Sequence, residues 1–270
     1  MTDARNTKSF WDEKDYQFWE KTVAVAHSDR VEWAKRRFLR RLLPAIRGKV
    51  VLDLGCGPGV ITPYLAAASD RVVGVDFSEN AIAAARRRCA ELNNTSFISG
   101  DVLDFACDQK FDVITGSMFL HEIMHEDTLE LLNRLDSLLA DGGFLCFHEN
   151  SYFNFIGRFV RQHLVGKYGI PKHGSENELP FDEARFALYR DFFRHCERFV
   201  DGVELAQKVY EYLIPLKYSR ISDVALVVDK MLTSIQVRTG VLNNWSYAQT
   251  IYASQTRPRS EVLGVASTGC

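Results

Sequence analysis

Residues 50–62 of the chain are Val50-Val51-Leu52-Asp53-Leu54-Gly55-Cys56-Gly57-Pro58-Gly59-Val60-Ile61-Thr62. An apolar, β-branched run ends near an acid and is followed by three alternate glycines and an apolar segment able to open a helix. This order is typical of a buried parallel strand that ends at a nucleotide-like ligand. The stretch therefore predicts that the polar part of a ligand lies against the backbone here.

Strands and helices alternate after this stretch. Strands are expected at about Lys49–Leu54, Arg71–Asp76, Thr95–Ser99, Phe111–Gly116 and Gly143–His148, and helices at about Val60–Ala68, Ser78–Leu92 and Glu126–Ala140. A further strand-like run, helix and final strand are expected at Glu197–Leu205, Ile221–Val237 and Asn244–Tyr252. Such alternation predicts an α/β fold with a doubly wound, mostly parallel sheet.

The pattern divides the chain into five segments. Residues 1–48 are expected to form an N-terminal helical segment that closes the site, and residues 49–149 the ligand-binding core. Residues 150–196 are expected to form a helical cap, with helices near Phe155–Val165 and Asp182–Cys196 and a long loop between them. Residues 197–256 complete the sheet around an inserted helix, and residues 257–270 form a flexible tail.

Composition restricts the class of protein and the partners. The chain has 270 residues, 46% of them hydrophobic, and a net charge of −2, so we expect no nucleic-acid partner. No run approaches the roughly 18 apolar residues of a membrane span. Six cysteines lack CxxC spacing, which favours reduced thiols. We therefore expect a cytoplasmic protein that acts on a small molecule, and the oligomeric state stays open.

The glycine turn differs from that of dinucleotide enzymes. Their G-x-G-x-x-G motif places a third glycine where this chain has Val60; here the third glycine, Gly59, comes one position early. Asp53 precedes the first glycine by two residues. A carboxylate there would repel a pyrophosphate but suits a cation such as an α-ammonium, directly or through water. The charge therefore disfavours NAD.

Two further acids follow the next two strands. Asp76 comes 21 residues after Gly55, where a carboxylate can accept hydrogen bonds from ribose hydroxyls. Asp101 follows the third strand and can receive an exocyclic adenine amine, while Val102 covers the ring. Because the carboxyl ends of parallel strands share one crevice, the three acids predict a single nucleoside site.

The chain resembles the class I S-adenosylmethionine-dependent methyltransferases. The matching pieces are 51–59 (glycine loop), 73–78 (ribose acid), 100–102 (adenine), 111–114 (fourth strand) and 138–143 (turn into the fifth strand). The resemblance is strong over 49–149 and weak in the flanks. It implies a seven-stranded Rossmann-like sheet and S-adenosyl-L-methionine as cofactor.

The resemblance also implies a set of cofactor-binding residues. These are Asp53, Gly55, Cys56 and Gly57 at the methionine part, Asp76 and Phe77 at the ribose and adenine, Asp101 and Val102 at the adenine, and Ser117 after the fourth strand.

His121-Glu122-Ile123-Met124-His125 matches H-E-x-x-H, which on a helix would bind zinc with the glutamate as base. The segment directly follows the fourth strand and no third ligand is apparent, so we expect no metal. His121 is instead a candidate base or pocket residue, because neutral imidazole can deprotonate a hydroxyl or amine. His148 and Glu149, at the end of the fifth strand, are the other acid/base candidates.

These features predict a small-molecule methyltransferase. The acceptor is expected to be partly apolar or aromatic, because aromatic residues are frequent in the segment after the fifth strand. Oxygen or nitrogen is the preferred acceptor atom and carbon is open. The alternatives are methylation of a protein or RNA, and a protein that binds the cofactor without turning it over.

Overall fold

The computed structural model describes residues 33–123, 127–151, 181–202, 219–241 and 248–256, together with residues 159, 163 and 246. Its helices are α1 (Trp33–Ala45), α2 (Thr62–Ala68), α3 (Glu79–Arg88), α4 (Thr128–Leu138), α5 (Glu183–Phe192) and α6 (Ser219–Thr239). Its strands are β1 (Val50–Leu54), β2 (Arg71–Asp76), β3 (Thr95–Ser99), β4 (Phe111–Ser117), β5 (Leu139–Asn150), β6 (Phe193–Gly202) and β7 (Ala248–Thr256).

The seven strands form one sheet in the order β3-β2-β1-β4-β5-β7-β6. In this order, β3, β2, β1, β4 and β5 each pair in parallel with the next strand. Strand β7 is antiparallel to both β5 and β6. This confirms the predicted mostly parallel, Rossmann-like sheet. Within the described part of the chain, no helix is both long enough and apolar enough to cross a membrane.

Alternation along the strands gives the sheet two buried faces. Leu52 and Leu54 of β1 pack with apolar residues of α4 and α5, which we call the α4/α5 face. Val51 packs with α1 and α2, which we call the α1/α2 face. Because successive side chains of a strand point to opposite faces, Asp53 shares the α1/α2 face with Val51.

Element boundaries differ from the sequence expectation where strands take over the ends of helices. The predicted helices at 126–140 and 182–196 were too long, because α4 ends at Leu138 and α5 ends at Phe192. In both cases a strand begins at the next residue and pairs with a neighbour in the sheet. Sheet pairing therefore prevails over helical periodicity at these ends.

Helix α5 lies against the sheet. It contacts α4, β6 and β7, and its Phe186, Tyr189 and Phe192 belong to the core on the α4/α5 face. The second predicted cap helix, which corresponds to α5, thus forms a layer of the core. Residues 1–32 and the tail lie outside the described residues, and of the first predicted cap helix the structure describes only residues 159 and 163, so the division into five segments stays a prediction.

Local capping follows the sequence as expected at α3. The Ser78 hydroxyl accepts a hydrogen bond from the amide of Ala81 at 3.2 Å, and three arginines occupy the last turn. Both features favour a helix, since the first satisfies an amide at the N-terminus and the second complements the helix dipole.

The glycine loop between β1 and α2 is closely packed at Gly55. Its φ is +59°, and a Cβ built there would lie 2.4 Å from a ring carbon of Phe119. Phe119 follows β4, so the loop after β1 and the segment after β4 touch at this point. A side chain at position 55 would separate them.

We predict that Gly55→Ala lowers the free energy of unfolding by about 2 to 5 kcal/mol, since it combines a left-handed backbone with overpacking. Gly142→Ala is the matched control, because Gly142 has φ +73° and nothing within 4 Å of its added Cβ. The control should lose only the backbone part, about 1 to 2 kcal/mol. Urea denaturation measures both, and equal losses would contradict the contact with Phe119.

Candidate active site

Three acids meet at the carboxyl edge of the sheet. Asp53 lies near the end of β1, Asp76 ends β2 and Asp101 follows β3. These strands are adjacent and parallel. The structure therefore brings together the acids that the sequence placed at three successive strand ends.

Asp53 is completely buried. Its Oδ2 accepts a hydrogen bond from the Thr62 hydroxyl at 2.9 Å, while its Oδ1 has no partner among the described residues. Burial raises the pKa of the Asp53 carboxyl to about 7; the Thr62 hydrogen bond opposes the shift and the charge of Asp76 adds to it. A buried carboxylate with one unsatisfied oxygen is suited to an ammonium group.

Asp76 joins the glycine loop to the start of α3. Its Oδ2 accepts from the amide of Gly57 and its Oδ1 from the amide of Ser78, each at 2.9 Å. In the predicted site this carboxylate also accepts the ribose hydroxyls, since a carboxylate offers about four acceptor sites. Gly57 has φ +52° and open space where a Cβ would stand, which allows a ligand to approach the backbone closely.

The predicted adenine residues differ in exposure. Val102 is buried, Phe77 is half-buried and Asp101 is exposed. The Oδ1 of Asp101 accepts from the amide of Leu103 at 3.0 Å, which orients the carboxylate beside Val102. An exposed acid next to a buried apolar residue fits the polar edge and the face of a purine.

The remaining two predicted cofactor residues lie in different surroundings. Ser117 ends β4 on the face that carries Asp53, and its buried hydroxyl has no partner among the described residues. Cys56 is buried, with Sγ 3.0 Å from the position of a Cβ built on Gly74. The Cys56 side chain therefore packs inward, and only its backbone is left to line the loop.

His121 belongs to a short 3-10 turn after β4, Leu120–Glu122, which we call the β4 turn. Its Nδ1 lies 2.8 Å from Oε2 of Glu149, a residue of β5 that is completely buried. Oε1 of Glu149 accepts from the amides of Phe119 and Leu120 at 2.6 and 2.5 Å. Burial works to raise the pKa of Glu149, but the charge of His121 and these hydrogen bonds outweigh it and lower the pKa.

The structure separates the other two acid/base candidates. His148 lies on the α1/α2 face, where its ring stacks on Phe38 of α1 with centroids 5.3 Å apart. Glu149 points to the opposite face of β5 and binds His121. The sequence treated His148 and Glu149 as one pair, and their opposite orientation follows from the two-residue period of a strand.

Two residues that contact the candidate site residues or their backbone were not predicted from the sequence. Thr62 was within the quoted stretch, and a hydroxyl at the start of α2 was a signal that it could reach Asp53. Arg185 gave no local signal: it lies on α5 and donates to carbonyl groups more than 60 residues earlier in the chain. Such long-range contacts are set by tertiary packing.

Residues 51–143 match the family model described as "Methyltransferase domain". This domain belongs to the class I S-adenosylmethionine-dependent methyltransferase family. The family assignment agrees with the strand order and with the acids at the carboxyl edge. The region matched by the family model begins at residue 51, where the glycine-loop motif also begins.

Named relatives share the methyltransferase domain. The chain is 29% identical over 196 residues to phosphoethanolamine N-methyltransferase 1 of Zea mays, and this alignment covers 71% of the chain and 36% of that protein. It is 27% identical over 205 residues to a ubiquinone biosynthesis O-methyltransferase of Aromatoleum aromaticum, covering 72% of the chain and 76% of that protein. The chain thus spans less than half the length of the maize relative.

A solved structure shares the fold. Phosphoethanolamine N-methyltransferase 1 of Haemonchus contortus, in complex with phosphoethanolamine and S-adenosylhomocysteine, has a TM-score of 0.59 at 15% identity. The match covers 98% of this chain and 53% of that chain. At this identity the likeness concerns the methyltransferase fold.

We predict that affinity for S-adenosylhomocysteine falls as pH falls from 8 to 6. In the predicted site the ammonium of the ligand pairs with the Asp53 carboxylate, which is protonated below a pKa of about 7. The fraction ionised changes about tenfold across this range, so Kd should rise by about the same factor. Isothermal titration measures Kd. Asp53→Asn should bind more weakly at pH 8 with little pH dependence; a pH-independent wild type would contradict the assignment.

Proposed function

We propose that the chain transfers a methyl group from S-adenosyl-L-methionine to an oxygen or nitrogen atom of a small metabolite. The observation that carries this proposal is the buried Asp53 carboxylate, whose Oδ1 has no partner among the described residues and which lies directly before the open glycine loop. The named relatives include one N-methyltransferase and one O-methyltransferase. These names support a small acceptor and leave its atom open.

The cofactor supplies an activated methyl group on a sulfonium, so the protein has to bind, align and exclude water. In the proposal, Asp53 and the Ser117 hydroxyl bind the amino-acid part of the cofactor. Asp76 accepts the ribose hydroxyls beside Gly57, and Asp101 with Val102 binds the adenine. Each of these residues lies at or after the carboxyl end of a strand.

His121 is the proposed base. Its Nδ1 faces the Glu149 carboxylate at 2.8 Å, which favours the tautomer with a proton on Nδ1 and a lone pair on Nε2. Nε2 would then accept the proton that leaves the hydroxyl or amine of the acceptor, while the methyl carbon exchanges its bond to the cofactor sulfur for a bond to the acceptor atom and S-adenosylhomocysteine leaves. Glu149 stabilises the resulting imidazolium, and we assign it this role because both its oxygens are occupied.

The cofactor assignment is tested by titration with S-adenosylhomocysteine. We predict that Asp76→Asn weakens binding at least tenfold, because hydrogen bonds to a charged group contribute about 1.5 to 3 kcal/mol. Asp70→Asn is the matched control, since Asp70 is an exposed acid at the opposite end of β2. Wild-type affinity in Asp76→Asn, or no heat from the wild type, would exclude this nucleoside site.

The acceptor class is tested by incubating the wild type and S-adenosyl-L-methionine with phosphoethanolamine, with a catechol, and with a metabolite extract. Mass spectrometry then detects a product heavier by one methylene group. A product supports small-molecule transfer and identifies the acceptor atom. Cofactor binding without any product, while a protein or RNA fraction becomes methylated, would support the macromolecular alternative. Binding with no transfer to any fraction would indicate a sensor.

We predict that His121→Gln lowers kcat by about 10²- to 10⁴-fold on an acceptor that must lose a proton. Its Kd for S-adenosylhomocysteine should stay within twofold. His195→Gln is the control, because His195 is an exposed residue of β6. Unchanged kcat in a folded His121→Gln protein would mean that catalysis rests on alignment alone.

A further inference from the structure

The β4 turn is held by charged side chains from two different elements. On one side, Glu149 of β5 accepts from the amides of Phe119 and Leu120 and from the imidazole of His121. On the other side, the carbonyl groups of Leu120 and of Ile123, the residue after the turn, accept hydrogen bonds from Arg185 of α5. Anion and cation therefore bind complementary backbone groups of the same five residues.

Arg185 is 2% exposed, which is unusual for an arginine. Its Nη1 donates to the carbonyl oxygen of Leu120 at 2.8 Å, and its Nη2 donates to that of Ile123 at 2.6 Å. The carbonyl of Leu120 also accepts from the amide of Ile123, which closes the turn. The planar guanidinium thus spans the first residue of the turn and the residue that follows it, a geometry that a flexible ammonium does not reproduce.

The helix that carries Arg185 is itself fixed at its N-terminus. Asp182 caps the N-terminus of α5 by accepting from the amide of Arg185 at 2.9 Å. One helical turn later, Tyr189 is buried in the core; burial raises its pKa, the charge of Glu149 adds to the shift and the charge of Arg185 opposes it. Glu149 and Arg185 therefore act electrostatically on the same buried group.

The turn needs such support because the backbone before it is strained. Met118 has φ +57°, a left-handed conformation that costs a non-glycine residue about 1 to 3 kcal/mol. Its amide donates to the carbonyl of His148 at 2.7 Å, which fixes the entry into the turn. Arg185 fixes the exit, two residues beyond His121.

We propose that Arg185 is a positioning residue, which holds the carbonyl side of the β4 turn so that the His121 imidazole stays against Glu149. This inference rests on the proposed role of His121, but Arg185 itself contacts neither substrate nor cofactor in it. Arg185 fixes the direction of the imidazole through the backbone on both sides of the histidine. Its positive charge also balances the negative charge of Glu149 in the buried cluster.

The test uses the full chain labelled uniformly with ¹⁵N, in which NMR follows exchange of the His121 Nδ1 proton with solvent. Arg185→Met should speed this exchange at least tenfold, and Arg185→Lys, which keeps the charge but loses the fork, at least threefold. The amide of Leu52 in β1 serves as an internal reference and should exchange at the wild-type rate. Arg190→Met is the control, since Arg190 lies on the same helix with an exposed side chain.

Titration with S-adenosylhomocysteine on the same variants separates this inference from the proposed function. Kd should stay within twofold of the wild type in both Arg185 variants, whatever the acceptor proves to be. Once an acceptor is known, kcat should fall more in Arg185→Met than in Arg185→Lys, in the same order in which exchange of the Nδ1 proton speeds up. KM for S-adenosyl-L-methionine should be unchanged. Wild-type exchange of the Nδ1 proton in Arg185→Met would overturn the inference; if that variant does not fold, wild-type exchange in Arg185→Lys overturns it.

Discussion

Taking a carboxylate out of water costs several kcal/mol unless donors or a cation replace the lost hydration. Asp53 is completely buried at the end of β1, and among the described residues only the Thr62 hydroxyl donates to it. The core around it is apolar, because Val51 and its neighbours pack against α1 and α2. A bound ammonium would replace the missing interaction. In the proposed site, the stability given up in the free protein is recovered on binding, and the end of β1 is the anchor of the cofactor.

The proposed cofactor site and the proposed base are coupled through one aromatic residue. The ring of Phe119 lies against Gly55 of the glycine loop, and its amide donates to Glu149. Glu149 in turn holds His121. Glycine at position 55 therefore lets the loop after β1 and the turn after β4 pack at van der Waals distance. This contact sets the spacing between the proposed cofactor site and the proposed base.

Features encoded by neighbouring residues could be predicted from the sequence. The glycine loop, the acids at the strand ends and the Ser78 cap all depend on local order, and the structure shows each of them. The hydrogen bonds that hold the β4 turn could not be predicted, because Glu149 and Arg185 lie about 30 and more than 60 residues from it in the sequence. The start of β6 at Phe193 was missed for a related reason: pairing with β7 decides it, whereas local periodicity continues the helix. Opposite orientations of His148 and Glu149 followed from strand geometry and were available in principle.

We propose that the Asp53 carboxyl, whose pKa burial raises to about 7, becomes ionised when the ammonium of the cofactor binds. Calorimetric titration with S-adenosylhomocysteine at pH 7, in two buffers that differ in ionisation enthalpy, measures this directly. We expect release of about half a proton per ligand bound by the wild type and close to none by Asp53→Asn. Binding by the wild type without proton release, or equal release from the two proteins, would contradict it.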